Sequence, residues 1–308
     1  MDETPQRFSV PPLASPTRLD HVLRDAFPGV PPRVRKDFLA RGGAKDARGK
    51  VLAKGTLLCG GETLSLAPFP GGDARVVPPE PDLPLAVLAE DAFLLALDKP
   101  APMPVHPQRF GETGTLLNAL LARYPALAAI GPDPLFPAFL HRIDTATSGL
   151  VLAAKTPEAY EAVRRQFRAR TVEKTYLAWV EGDARDGGSD AALTHRTRRP
   201  CRMRPVGQGE VLPKNEFFSA ESRWRVLERR GGRTLLEVTI FSGVTHQIRC
   251  HLASAGHPVA GDARYGSSTP LPRPLLHAWR IRFRHPASGR AVVWTAPPDA
   301  AFRDAFRH

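Results

Sequence analysis

At 308 residues, with 42% hydrophobic and 24% charged side chains, the chain has the composition of a folded globular protein with room for more than one domain. Lys and Arg number 43 against 31 Asp and Glu, a net charge of +12 that favours polyanionic partners, nucleic acid first among them, although Arg outnumbers Lys 35 to 8 and genome base composition contributes to that excess. Cys59, Cys201 and Cys250 have no paired spacing and point to neither a disulfide framework nor a zinc site, the opening MDETPQRFSV lacks the apolar run of a secretory signal, and no stretch approaches the roughly 18 apolar residues of a membrane helix, so a cytoplasmic location is expected.

Residues 1–16 are polar and Pro-rich and are expected to be loosely ordered. In residues 17–67, Leu19, Val22, Leu23 and Phe27 keep helical spacing, as do Val34, Phe38 and Leu39, with Arg33, Arg35, Lys36 and Arg41 on the remaining faces. Gly42 and Gly43 stop the second helix, and short strands are expected around Val51–Ala53 and Thr63–Leu66. Residues 68–82, PFPGGDARVVPPEPD, have the composition of a linker.

The remainder, 83–308, opens with short apolar strands ending at Lys99-Pro100. An amphipathic helix is expected over 113–130 with Leu116, Leu117, Leu120 and Leu121 inward, and a second from the Thr156-Pro157 cap to Arg170. KTYLAWVEG and TLLEVTIFSG have strand character, and HQIRCHLASAG is a short helix closed by Gly256. No internal repeat is evident, and the irregular mixture of strands and helices predicts an α+β fold.

Cofactor signatures are missing. GAKDARGKV (43–51) has the wrong glycine spacing and no hydroxyl residue after Lys50 for a phosphate loop, and no GxGxxG or HExxH occurs. His246, Cys250 and His251 share a short helix but have no fourth partner to complete a metal site. Ser148 with His141 and Asp144 suggests a hydrolase triad, yet all three lie in one segment without a GxSxG elbow. What remains calls for a carboxylate, cations and hydroxyls, and no metal or cofactor. The densest source of these is FLHRIDTATSGLVLAAKT (139–156), where a polar cluster runs directly into an apolar strand.

The HRIDTATSGLVLAAK stretch resembles the signature of the RluA-type pseudouridine synthases. Further matches follow in order: Glu90-Asp91, Lys99-Pro100, His106-Pro107, KTYLA (174–178), THQIRxHL (245–252), GDxxYG (261–266) and Leu276-His277-Ala278. The segment 17–67 resembles an S4-type RNA-binding module in its opening RLD (18–20), its basic second helix, Lys54 and its closing GETLSL. The resemblance implies a pseudouridine-synthase domain with a mixed, largely antiparallel sheet flanked by helices, preceded by a small α/β module.

It also implies roles. Asp144 is the ionised catalytic carboxylate, acting by attack on the ribose or the base or by removing the C2′ proton, Arg249 is its ion-pair partner, and Tyr176 is a ring that stacks on uracil. Arg142 displaces the target base, and Thr147, Ser148, His246 and Gln247 support the substrate or the loop that presents Asp144. In the S4-like module Arg18, Arg33, Arg35, Lys36 and Arg41 face RNA. The implied partner is RNA, ribosomal in preference to transfer RNA, handled by a monomer with no cofactor, metal, membrane or obligate protein partner. The target uridine has to be extruded, and phosphate contacts offset that cost.

Two departures stand out: Val244 occupies the place of the family's usual arginine in G-R-T-H-Q-I-R, and KNEFFSAESRW (214–224) blurs the usual A-x-T-x-F/Y. The arginine-rich THRTRRPCRMRP (194–205) is expected to be an RNA-touching insertion or a mobile solvated loop. A second hypothesis, carried by the charge and the S4-like module, is a non-catalytic RNA-binding or ribosome-assembly factor.

Overall fold

The computed structural model describes residues 5–27, 30, 32–67, 77–198, 200–213 and 215–306. Two compact units divide the chain, one built on Met1–Val76 and the other on Val77–Gln108, Glu112–Gly131 and Leu135–His308.

The first unit contains β1 (Gln6–Ser9), β2 (Thr17–Arg18), α1 (Leu19–Ala26), α2 (Pro32–Ala40), β3 (Ala44–Lys45), β4 (Leu57–Leu58) and β5 (Thr63–Leu66). Both helices fall where the apolar spacing places them. Leu19, Leu23, Phe38 and Leu39 form one core with Leu58, Leu64 and Leu66. The leading segment differs from expectation. Gln6–Ser9 pairs antiparallel with Thr63–Leu66, because Val10 beyond it is apolar enough to be buried in the same core. The strand expected at 51–53 reduces to a bridge between Lys45 and Val51.

The second unit contains β6 (Ala86–Glu90), β7 (Leu94–Lys99), α3 (Leu116–Arg123), β8 (Ser148–Ala154), α4 (Pro157–Arg168) and β9 (Glu173–Glu181). It continues with β10 (Gly187–Ser189), β11 (Leu193–Arg198), β12 (Cys201–Pro205), β13 (Phe217–Phe218), β14 (Ser222–Arg230) and β15 (Arg233–Ile240). It ends with α5 (Gln247–Ser254), β16 (Leu276–Arg284), β17 (Ala291–Thr295) and α6 (Ala300–Arg303).

Its main sheet runs β10-β14-β15-β9-β16-β8-β7-β6, with β17 beside β16, and only β16 and β8 pair in parallel among the described strands. This is the mixed, mostly antiparallel α+β arrangement of the expectation. Every residue of β8 is buried, which explains its unbroken apolar run. At its start Gly149 has φ +107°, and a Cβ there would lie 2.2 Å from the Ala278 carbonyl oxygen, so only glycine allows β8 to approach β16 so closely.

Several boundaries moved. The helix expected over 113–130 begins at Leu116, where Thr115 caps it reciprocally with Asn118, and gives way to a 3-10 turn at Pro125, whose ring nitrogen has no hydrogen to donate. The helix from Pro157 ends at Arg168. Of the proposed linker, 68–76 lies outside the described residues. Its final part is fixed to α3, since Asn118 Nδ2 donates to the Pro78 carbonyl at 2.7 Å. The arginine-rich stretch is not a loop: β11 and β12 form a hairpin that β13 extends to a three-stranded sheet, anchored by the buried Leu193 and Met203.

Candidate active site

The turn before β8 carries Asp144 and is closed by the Thr147 N–H donating to the Asp144 carbonyl at 3.0 Å. It is tied from below by Lys99 at the end of β7. That side chain is fully buried, and its ammonium donates to the carbonyls of Met103 at 2.7 Å, Pro100 at 2.8 Å and Thr145 at 3.3 Å. Burial pulls the Lys99 pKa down to about 7, against the pull of the nearby Asp144 charge. Ser148, next along, does not open toward the pocket. Its hydroxyl donates to His277 Nδ1 at 2.9 Å, and His277 Nε2 donates to the Ala296 carbonyl at 2.9 Å. Ser148 is therefore a buried strut between β8 and β16, which corrects its expected substrate contact and removes the arrangement a hydrolase would need.

Asp144 keeps a quarter of its side-chain surface exposed and meets Arg249 Nη1 at 2.9 Å. Arg249 is the third residue of α5 and is itself held by Asp262, which receives Nε at 2.6 Å and Nη2 at 2.9 Å. Burial by itself would weaken the guanidinium charge; the hydrogen bond to Asp262 and the fields of Asp144 and Asp262 outweigh it and raise the Arg249 pKa.

His246 precedes α5 in left-handed backbone at φ +56°. The Met203 N–H donates to Tyr265 Oη at 2.8 Å, and that hydroxyl lies 3.0 Å from His246 Nδ1. The tyrosine hydroxyl still has its own proton to give to Nδ1, and in that tautomer Nε2 carries the imidazole proton, 3.9 Å from Asp144 Oδ2. Burial lowers the His246 pKa, with the Asp144 charge opposing it.

Arg142, Asp144, Thr147, Lys174, Tyr176 and Arg249 border one pocket of about 90 Å³. Tyr176 sits in the middle of β9, registered against Val238 on one side and Ala278 on the other. Burial first, and then the Asp144 charge, raise its pKa, so the phenol stays protonated. It can donate a hydrogen bond or present its ring, and it is not a base at neutral pH. Lys174 donates to the Ser242 carbonyl, and burial lowers its pKa to about 8. Arg142 is exposed and has no hydrogen bond or ion pair among the described residues.

Gln247 borders the pocket, but its amide is fully spent: Oε1 accepts from Ser242 Oγ at 2.8 Å and the Val244 N–H at 3.2 Å, while Nε2 donates to the Glu221 carbonyl at 2.7 Å. It is a brace for the 242–247 turn, which corrects its expected substrate contact. His251 is likewise engaged, by Ser222 Oγ and the Ala191 carbonyl, so His246, Cys250 and His251 do not converge. Val244 packs against the cluster of Leu193, Met203, Ala220, Cys250 and Tyr265, so the lost arginine is replaced by an apolar seat for the hairpin. The second departure narrows as well. Ala220 and Ser222 are buried, the Ser222 hydroxyl meeting Gln247 and His251, and the unusual residues are the exposed Phe217 and Phe218.

In the first unit, Arg18 pairs with Asp20 at 3.1 Å and Arg41 with Asp37 at 2.9 Å, both at the surface. Arg33 and Lys36 border a groove of about 450 Å³ together with His21, Arg24 and Lys54. Arg35 is a correction: it is buried and its guanidinium donates to the carbonyls of Val30 and Phe27, so it closes the helix–helix turn and has little left to offer RNA.

Asp262, Tyr265, Lys99 and Lys174 were visible in the sequence only as letters of matched motifs. No spacing rule shows that a carboxylate 13 positions beyond Arg249 orients it.

A model of the RNA pseudouridylate synthase family matches residues 94–254. The chain is 40% identical over 240 residues to the ribosomal large subunit pseudouridine synthase D of Nitrosomonas europaea, an alignment covering 73% of this chain and 66% of that one, just under two thirds of its length. It is 34% identical over 312 residues to the protein of the same name from Xanthomonas campestris pv. campestris, covering 96% and 90%. In fold it is similar to the solved structure of human RNA pseudouridylate synthase domain containing 1, with a TM-score of 0.56 at 24% identity over 70% of this chain and 84% of that one.

Proposed function

The chain belongs to the RNA pseudouridine synthase family, and on that premise we propose that it isomerises uridine to pseudouridine in large-subunit ribosomal RNA with Asp144 as the anionic partner. The observation that carries the assignment of Asp144 is a partly exposed carboxylate bordering a pocket, 2.9 Å from an arginine that a second carboxylate fixes in place. The relatives named for the large ribosomal subunit support the choice of RNA.

In the reaction the bond from ribose C1′ to uracil N1 breaks, C5 bonds to C1′, and C5 gives up a proton while N1 gains one. Nothing is consumed, so the chain's own groups suffice. Asp144 acts by adding to the nucleoside or by taking the ribose C2′ proton, and a rate measured on 2′-deuterated RNA separates the two. Tyr176 offers its ring to the uracil. Its protonated hydroxyl stabilises charge by donating. Arg142, free at the pocket mouth, fills the place the base leaves in the RNA. Arg18, Arg33, Lys36 and Arg41 of the first unit contact phosphates in the manner of an S4-like module. A cytoplasmic monomer is part of this proposal. Among the described residues no helix is long and apolar enough to cross a membrane.

Tritium release from RNA bearing 5-tritiated uridine tests the assignment. Wild type should release tritium, and Asp144→Asn should release none while binding RNA with nearly unchanged affinity. Turnover by that variant would defeat the role of Asp144, and RNA binding without release by wild type would favour the non-catalytic reading.

A further inference from the structure

Beside the Asp144 pocket lies a second, larger depression of about 680 Å³, which shares Arg142, Lys174 and Gly243–Thr245 with it. Its lining contains four arginines, Arg142, Arg164, Arg168 and Arg170, together with Lys174, and no acidic residue. Its floor holds Phe167, stacked on His141 at 5.2 Å. Three phenylalanines border it in the open: Phe217, 37% exposed, Phe218, 41%, and Phe241, 42%. Single exposed phenylalanines are common on protein surfaces. Three of them converging on a cationic groove at the edge of a reaction pocket call for a ligand with flat apolar faces and negative charge.

We propose that this groove takes the unpaired RNA strand next to the target uridine, with Phe217 and Phe218 as a stacking platform for its bases and the arginines around it as phosphate contacts. The proposal rests on the RNA reading above and adds to it a site and a preference for single strands. Extruding one nucleotide breaks the stacking of its neighbours, and a base freed in this way regains contact area on an aromatic ring. The charge pattern sets RNA ahead of a protein partner, because an apolar protein patch gains nothing from a lining of guanidiniums of which, among the described residues, only Arg168 is paired with a carboxylate, that of Glu161 at 3.4 Å. Position supports the same choice: a strand leaving the Asp144 pocket over Arg142 and Lys174 enters this groove directly.

The hairpin gives the platform its footing. Phe218 is registered against Leu193 and Phe217 against Thr194, and the Phe218 ring meets His195 edge-on at 5.9 Å. Arg170 crosses beneath, donating to the Ser219 carbonyl and hydroxyl at 3.2 Å, which fixes the segment just after the two rings. The platform is therefore held at both ends while its faces stay open.

Fluorescence anisotropy of the full chain with a short unpaired RNA oligonucleotide, and with a blunt RNA duplex of the same composition, tests the proposal. Wild type should bind the unpaired strand more tightly. Phe217→Ala with Phe218→Ala should weaken that binding about tenfold, with a much smaller effect on the duplex. Phe217→Trp with Phe218→Trp should keep wild-type affinity, which a loss of folding would not allow. Unchanged affinity of the double alanine variant, or an equal loss on duplex and single strand, would overturn the platform. Tritium release by wild type is a separate readout, so failure of the isomerase reading and failure of the groove are told apart.

Discussion

Asp262 grips Arg249 through both carboxylate oxygens, at 2.6 and 2.9 Å, and so leaves Nη1 as the guanidinium nitrogen that meets Asp144. A planar fork clamped along one edge has little freedom along the other, so the direction from which Asp144 receives its counter-charge is set by a residue outside the pocket. Asp262 is 1% exposed, and the clamp is correspondingly dry.

Replacing Asp262 by Asn removes half of the charge that balances a buried guanidinium. Unfolding free energy from urea titration should fall by about 3 kcal/mol, the scale for breaking a buried pair. Tritium release should fall at least about tenfold, because Arg249 then has a choice of rotamers. Full turnover would show that Arg249 finds Asp144 unaided.

Tyr265→Phe keeps the ring and deletes the hydroxyl that joins Met203 of the hairpin to His246. The imidazole is then free to take the other tautomer, which turns an unprotonated nitrogen toward Asp144. Steady-state kinetics should show kcat lower by about fivefold to tenfold with KM little changed, a loss of about 1 kcal/mol. A change confined to KM would instead place the hydroxyl in RNA binding.

Lys99→Met leaves the carbonyls of Pro100, Met103 and Thr145 short of a donor beneath the Asp144 turn. The expected cost is about 2–3 kcal/mol in chemical denaturation. Turnover should suffer more than RNA affinity, since the slackened segment presents the carboxylate and not the phosphate contacts. Wild-type stability in this variant would mean that Met103 N–H, which also reaches Thr145, holds the turn alone.

His141 supplies the acid limit. Its Nε2 accepts from the Leu152 N–H at 3.1 Å, and burial, helped by the charges of Lys174 and Arg164, lowers its pKa to about 3. Between about pH 3 and the ordinary histidine value near 6.5, the unfolded chain binds a proton that the folded chain refuses. Stability contributed by this group therefore rises with pH through that window and is lost as the medium is acidified, by at most about 1.4 kcal/mol per pH unit. Denaturation midpoints measured from pH 7 down to pH 4 should fall less steeply in His141→Gln than in wild type. Parallel curves would remove His141 as the cause.

Periodicity served the helices well: Leu19, Val22 and Leu23 in α1 and Tyr160 and Val163 in α4 are buried as their spacing requires. It failed where a few apolar side chains decide the outcome, as at Gln6–Ser9, whose strand forms because Val10 finds a core made by residues some fifty positions later. Arginine-rich composition concealed the β11–β12 hairpin, since Leu193 and Met203 anchor it and the arginines merely decorate it. At the site, the motif resemblance pointed to Asp144 and Arg249. The positions of Ser148, Gln247 and Arg35 were not legible, because a polar side chain's partner depends on which strand or carbonyl lies opposite in three dimensions. Ser148 faces His277, 129 positions away.

The lone parallel pairing places β16 between β8 and β9, which are consecutive along the main sheet's half of the chain apart from one helix. During synthesis the Asp144 turn and the Tyr176 strand emerge about a hundred residues before the strand that unites them, and until then no common neighbour fixes their spacing. Leu276–Arg284 is therefore the strand that sets the Asp144 turn and Tyr176 side by side, and contacts of such long sequence separation are the slow ones to form.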